Sequence, residues 1–178
     1  MAIHSSPGRR GENTSQRTAE YGMMIALAFL LSYVETLIPI NLGIPGVKLG
    51  LANLVNIVGL YVIGVRGTIV IALVRILLVG LTFGNMFSMF YSMAGGALSL
   101  LLMIICKKKD WFSRIGVSIV GGVGHNIGQI SVAAFVVSNS QVFYYLPFLM
   151  AAGIISGALI GLLGGIVTKR ISRFVRNR

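Results

Sequence analysis

Arg75 interrupts the apolar run "IALVRILLVG" (residues 71–80), with eight uncharged residues separating it from Arg66. A charge in such a run is hard to desolvate, so it marks either a structural pair or a binding site. Few groups are available to answer it. Apart from Glu20, at the very start of the first apolar segment, Glu35 is the only acidic residue in any of them, and a structural ion pair between Glu35 and Arg75 is one reading. Lys48 lies just beyond, in the proline- and glycine-rich stretch "PINLGIPGVKLG". Asn53 and Asn56 are spaced i,i+3 and His125 and Gln129 i,i+4, so each pair shares one helix face, with Asn126 beside the second. Gathered at comparable depth, Glu35, Lys48, Asn53, Asn56, Arg75, His125 and Gln129 would line a pocket of mixed donors. Such a pocket suits a polar or anionic small molecule with a flat or apolar portion. The same amides and imidazole equally suit interhelical hydrogen bonds or the capping of short helices.

Other chemistries find less support. Met86, Met89 and Met93 fall at helical spacing, but no Cys or His accompanies them in that segment, so they read as core rather than as a soft-metal path. "GGVGHNIGQ" (121–129) has the glycines of a phosphate-cradling loop but no P-loop lysine, and it sits in mid-span. No catalytic group, metal site or cofactor is expected.

The elements that must position these residues are set by composition. Hydrophobic residues make up 56% of the 178-residue chain and charged residues only 11%, where a soluble domain carries about 25% charged residues. The expected class is an all-α integral membrane protein, a multi-pass protein of the cell membrane. Six transmembrane helices in one bundle are expected, at approximately Thr18–Ile38, Leu49–Ile63, Thr68–Leu81, Met86–Cys106, Ile115–Val137 and Tyr144–Thr168. The second and third reach only ~22 Å at ~1.5 Å per residue, so they must extend into their turns or be sheltered by longer neighbours. Residues 1–17 read as a disordered cytoplasmic tail, 18–168 as the membrane domain and 169–178 as a basic cytoplasmic tail. Threading six spans puts thirteen Lys and Arg residues on the side of both termini and only Lys48 on the other, so both termini are expected in the cytoplasm. That distribution accounts for the net charge of +11 without nucleic acid. The single Cys106 leaves no intrachain disulfide framework.

Small residues mark the packing faces. Gly153, Gly157, Gly161 and Gly165 recur every four residues in the last span, and Gly124 and Gly128 do so in the fifth. The first span carries Gly22–Ala26 and Ala28–Ser32, which suit either internal packing or docking onto a membrane partner.

Three blocks are distinctive: "IPGVKLGLANLVNIVGLYVIG" (44–64), "YSMAGGALSL" (91–100) and "GVSIVGGVGHNIGQISVAA" (116–134). They resemble the bacterial membrane family labelled Gx transporter, or heptaprenyl diphosphate synthase component I, and the likeness runs from about residue 20 to 168. That family is similar in turn to the substrate-binding S components of energy-coupling factor (ECF) transporters. Those are six-helix proteins with both termini cytoplasmic. They dock through a small-xxx-small surface on the first helix onto a shared transmembrane subunit driven by two ATPase subunits. Gly22, Ala26, Ala28 and Ser32 are the positions here that match that surface. The resemblance therefore implies a subunit that binds a vitamin- or cofactor-like small molecule, with flavins or flavin nucleotides as one class and a prenyl or quinone precursor as the competitor. It also implies an alternative role as a non-catalytic membrane partner of isoprenoid or quinone enzymes. Prenyl diphosphate synthases need clustered aspartates to hold Mg²⁺ and diphosphate. This chain has one aspartate, Asp110, beside three lysines, so the expectation is that it is not itself an enzyme. It also lacks a Walker A lysine motif, so any ATP hydrolysis would belong to partners. An independent channel or secondary transporter is disfavoured by the absence of an inverted-repeat pattern.

Overall fold

The computed structural model describes residues 7–38 and 50–176, with no strand among the described residues. Six α-helices follow in order: α1 (Pro7–Leu37), α2 (Leu51–Val62), α3 (Val65–Thr82), α4 (Met86–Lys109), α5 (Arg114–Val137) and α6 (Leu146–Arg176). A 3-10 turn, Ser140–Tyr145, leads into α6. Residues 39–49, and with them Lys48, lie outside the described residues.

Local chemistry sets the helix ends. At the start of α4, Asn85 Oδ1 accepts from the Ser88 N–H at 2.7 Å, and Ser88 Oγ accepts from the Asn85 N–H at 3.0 Å, a reciprocal capping box. The chain leaves α4 through Asp110 and α5 through Ser138, both left-handed at φ 53° and 51°. Each reverses the path by ending one helix abruptly. Pro7 opens α1 where its missing N–H is not needed. Helix α1 includes residues 7–17 and helix α6 includes residues 169–176. Adding a residue to a formed helix gains one hydrogen bond per residue fixed, so polar flanks prolong a helix that apolar packing has already nucleated.

Five helices are long and apolar enough to cross a membrane, and α2 is the exception. Its 12 residues reach about 18 Å. It packs against α1, α3, α5 and α6, and every residue from Val55 to Leu60 is buried, as a helix apolar on all sides must be. Its C-terminal end is fastened by Lys107, whose Nζ donates to the Leu60 carbonyl. Lys107 and Arg114 also stand over the Tyr61 ring at 4.8 and 5.1 Å.

The core gathers Ile57, Leu60, Met103, Cys106 and Val117 toward the end of the bundle that carries the α2–α3 and α4–α5 turns. Next to it α5 lies between α4 and α6, close to both. A Cβ on Gly122 would stand 2.5 Å from the Gly153 carbonyl oxygen, and one on Gly157 would stand 2.7 Å from Ile119 Cα. On the opposite side of α5, a Cβ on Gly128 would meet Ala94 and Gly95 backbone at 2.7 and 2.9 Å. Gly165 does not belong to this seam, since nothing lies within 4 Å of its Cβ direction. Gly164 instead abuts Ile57 of α2. Large apolar side chains such as Leu81, Phe135 and Ile155 cover the outside. That is the surface a bilayer solvates.

Candidate functional site

Because α2 is short, its N-terminus stops part-way along the bundle. Gly50 and Asn53 lie beside Gly122, Ser156 and Gly157, the middle of α5 and α6. Beyond that point five long helices enclose space that a sixth span would have filled. A cavity of about 380 Å³ occupies it, and all six helices contribute to its wall. The size falls in the range of small-molecule pockets.

Arg75 enters this cavity from α3. The residue is 8% exposed, its Nη1 donates to Ser32 Oγ at 3.4 Å, and its Nε has no partner. Ser32 Oγ itself donates to the Ala28 carbonyl at 2.8 Å, so the hydroxyl is held in place by its own helix. The charge on Glu35 acts on Arg75, and both residues line the cavity. The hydrogen bond of Glu35 is made elsewhere: Oε1 accepts from the Gly50 N–H at 2.5 Å. Gly50 is the N-cap of α2 and adopts φ 75°, the left-handed region that glycine enters without strain. A carboxylate there satisfies an orphan N–H and meets the positive end of the helix dipole.

Of the seven residues expected at the site, Glu35, Asn53, Arg75 and His125 line one cavity. Asn56 and Gln129 do not. Asn56 is buried one turn deeper, and its Nδ2 donates to Asn53 Oδ1 at 3.2 Å, so it orients a lining residue. Gln129 is turned into the α4–α5 seam, where its Cγ would meet a Cβ on Gly95 at 2.7 Å. Lys48 lies outside the described residues.

Other lining residues were not expected there. Ser32, read with Ala28 as part of a docking surface, is 6% exposed and sits under Arg75, while Ala28 is fully buried. That pair therefore packs internally, whereas Gly22 and Ala26 face outward beside Met23 and Leu27. The sequence held the signal for Ser32: with Glu35 and Thr36 it forms an i,i+3,i+4 polar face, and all three line the cavity. Asn126 and Ser156 complete the wall from α5 and α6, and Asn126 Nδ2 donates to the Leu149 carbonyl at 2.6 Å, tying the two helices. Asn85, Ser88, Met89 and Ser92 contribute the first turns of α4, so Met89 is a wall residue as well as a packing one. Phe83 supplies an aromatic edge and packs on Phe29 and Tyr33 at 5.2 and 4.9 Å between ring centres.

The arrangement provides one buried cation, one anchored carboxylate, several hydroxyls and amides, and an apolar strip from Ile76, Val79, Phe83 and Met89. These are means of binding and orienting a molecule. Among the described residues no three His, Cys, Asp or Glu side chains come together as a metal site.

No curated protein and no solved structure matches the chain. A family model described as heptaprenyl diphosphate synthase component I matches residues 24–167, most of the chain and every helix that lines the cavity. The chain therefore belongs to the heptaprenyl diphosphate synthase component I family.

Proposed function

We propose that this protein is the substrate-binding membrane subunit, or S component, of an ECF-type transporter driven by two ATPase subunits through a shared transmembrane subunit. It is not itself an enzyme. The observation that carries this reading is the cavity: a small-molecule volume walled by all six helices, with a buried arginine facing into it. A helix bundle that needed only to hold itself together would fill that space with side chains. The Lys and Arg bias supports a cytoplasmic position for both termini. The cavity, at the other end, then opens toward the outside and is closed below by the packed core. In this reading a vitamin- or cofactor-like molecule, with flavins or flavin nucleotides as the leading class, enters between α1, α3 and α4. Reorientation of the whole subunit by the ATP-driven partners then moves it. The outward face of α1 around Gly22 and Ala26 serves as the docking surface.

The family's description favours a second reading, a non-catalytic membrane partner of an isoprenoid or quinone enzyme or a carrier of a prenyl precursor. With one aspartate in the whole sequence, the chain has too few carboxylates to hold Mg²⁺–diphosphate alone, so under that reading too it would recruit an enzyme. Affinity purification of the tagged full chain from its native membrane separates the two. Transport predicts recovery of a membrane subunit with two ATPases. Recovery of a prenyl diphosphate synthase without ATPases would replace it with the second reading.

A further inference from the structure

The guanidinium of Arg75 carries five N–H donors in a planar fork. One meets Ser32 Oγ at a long 3.4 Å, and the Nε donor meets nothing. Among the described residues Glu35 is the carboxylate that acts on Arg75, and it has its hydrogen bond with the backbone that starts α2. A charge this enclosed is destabilising unless an oppositely charged, hydrogen-bonding group reaches it. A neutral occupant would leave the penalty standing, and a cationic one would add repulsion.

We propose that the cavity holds an anionic group, a phosphate or a carboxylate, in two-point contact with the Arg75 fork, and that Glu35 is a positioning residue for α2 rather than a ligand contact. This deepens the transport reading and rests on the cavity being a small-molecule site. Planar guanidinium and a two-oxygen anion match in geometry, which a lysine at this position would not reproduce. Ser92 offers a hydroxyl to a remaining anion oxygen, while Val79, Phe83 and Met89 offer an apolar strip to the rest of the molecule. A phosphate could come from a soluble molecule or from the headgroup of a phospholipid; the recognition chemistry is the same.

The test uses the full chain in detergent with phenyl phosphate, benzoate and neutral phenol as probes, read by thermal shift and by titration. Phenyl phosphate or benzoate should stabilise the protein while phenol does not. Arg75→Gln should weaken the effective anion by at least about tenfold, Arg75→Lys should fall between, and Glu35→Gln should stay within about twofold. If Arg75→Gln is not monodisperse, Arg75→Lys decides alone. Equal stabilisation by phenol overturns the anion site, and full affinity in Arg75→Lys overturns the two-point contact with the Arg75 fork. A folded Glu35→Gln that loses as much affinity as Arg75→Gln overturns the division of roles. Repeating the titration in nanodiscs of phosphatidylcholine, with and without phosphatidylglycerol, separates the sources. Loss of probe binding only with phosphatidylglycerol identifies a lipid headgroup, and retention in both identifies a soluble anion. ATPase co-purification together with a neutral-only ligand would sink this proposal and leave the transport reading intact.

Discussion

Gly157 and Gly165 belong to the same four-residue glycine repeat, yet replacing each with alanine should change stability in opposite directions. At Gly157 the new methyl would stand 2.7 Å from Ile119 Cα and 2.9 Å from the Ser118 carbonyl oxygen, both backbone atoms that cannot swing aside. Ordinary contact begins at 3.4 Å, so α5 and α6 must part by about 0.7 Å along the seam. Overpacking of this kind costs about 1–3 kcal/mol. Replacing a helical glycine by alanine returns about 1 kcal/mol of backbone propensity, so Gly157→Ala should lose up to about 2 kcal/mol net. At Gly165 nothing lies within 4 Å, so only the propensity gain remains. On the scale of soluble chains of this length, each kcal/mol moves Tm by about 2–4 °C. Thermal scans of detergent-purified protein, read as the loss of monodisperse material, should therefore place Gly157→Ala below and Gly165→Ala at or slightly above the parent. Equal destabilisation by both would refute the assignment of the seam, and so would a gain in stability at Gly157 as large as that at Gly165.

Three further outcomes are expected. Asn126→Ala removes the α5–α6 hydrogen bond to Leu149 and should lower stability by about 0.6–1.7 kcal/mol, checked by the same thermal scan. Asn85→Ala removes the cap of α4 and should cost about 1 kcal/mol, with faster amide hydrogen exchange confined to the first turn of that helix. In intact cells a membrane-impermeant maleimide should label Asn139→Cys and not Lys109→Cys, with little background because Cys106 is buried. The reverse pattern would invert the orientation.

The sequence made much of this architecture legible, for reasons that differ from element to element. The start of α4 at Met86 and the extent of α5 from Arg114 to Val137 follow from apolar runs bounded by the caps Asn85 and Ser113. Depth along a helix is also readable, since rise per residue is fixed; this is why Glu35, Asn53, Arg75 and His125 could be placed at one level. Rotation about the helix axis is not readable in the same way. Gln129 shares a helix face with His125 by spacing, yet it is turned into the α4–α5 seam, and Asn56 lies one turn deeper, bonded to Asn53. The glycine repeat illustrates the same limit. Steps of four residues drift by about 40° each, so after three steps Gly165 has moved about 120° from the face that Gly153 occupies. The three-residue step from Gly161 to Gly164 turns the other way, and Gly164 meets α2. The small size of Ser32 suggests a docking face, although its spacing from Glu35 and Thr36 puts it with the polar wall.

The account depends most on this chain being a ligand-holding subunit of an ATP-driven assembly. Native mass spectrometry of the tagged chain released from its own membrane tests that claim most directly. The expected spectrum contains this chain, one further membrane subunit and two ATPases, with a small anion that remains on this chain when the others dissociate. A spectrum with a prenyl diphosphate synthase subunit, no ATPase and no bound small molecule would contradict it.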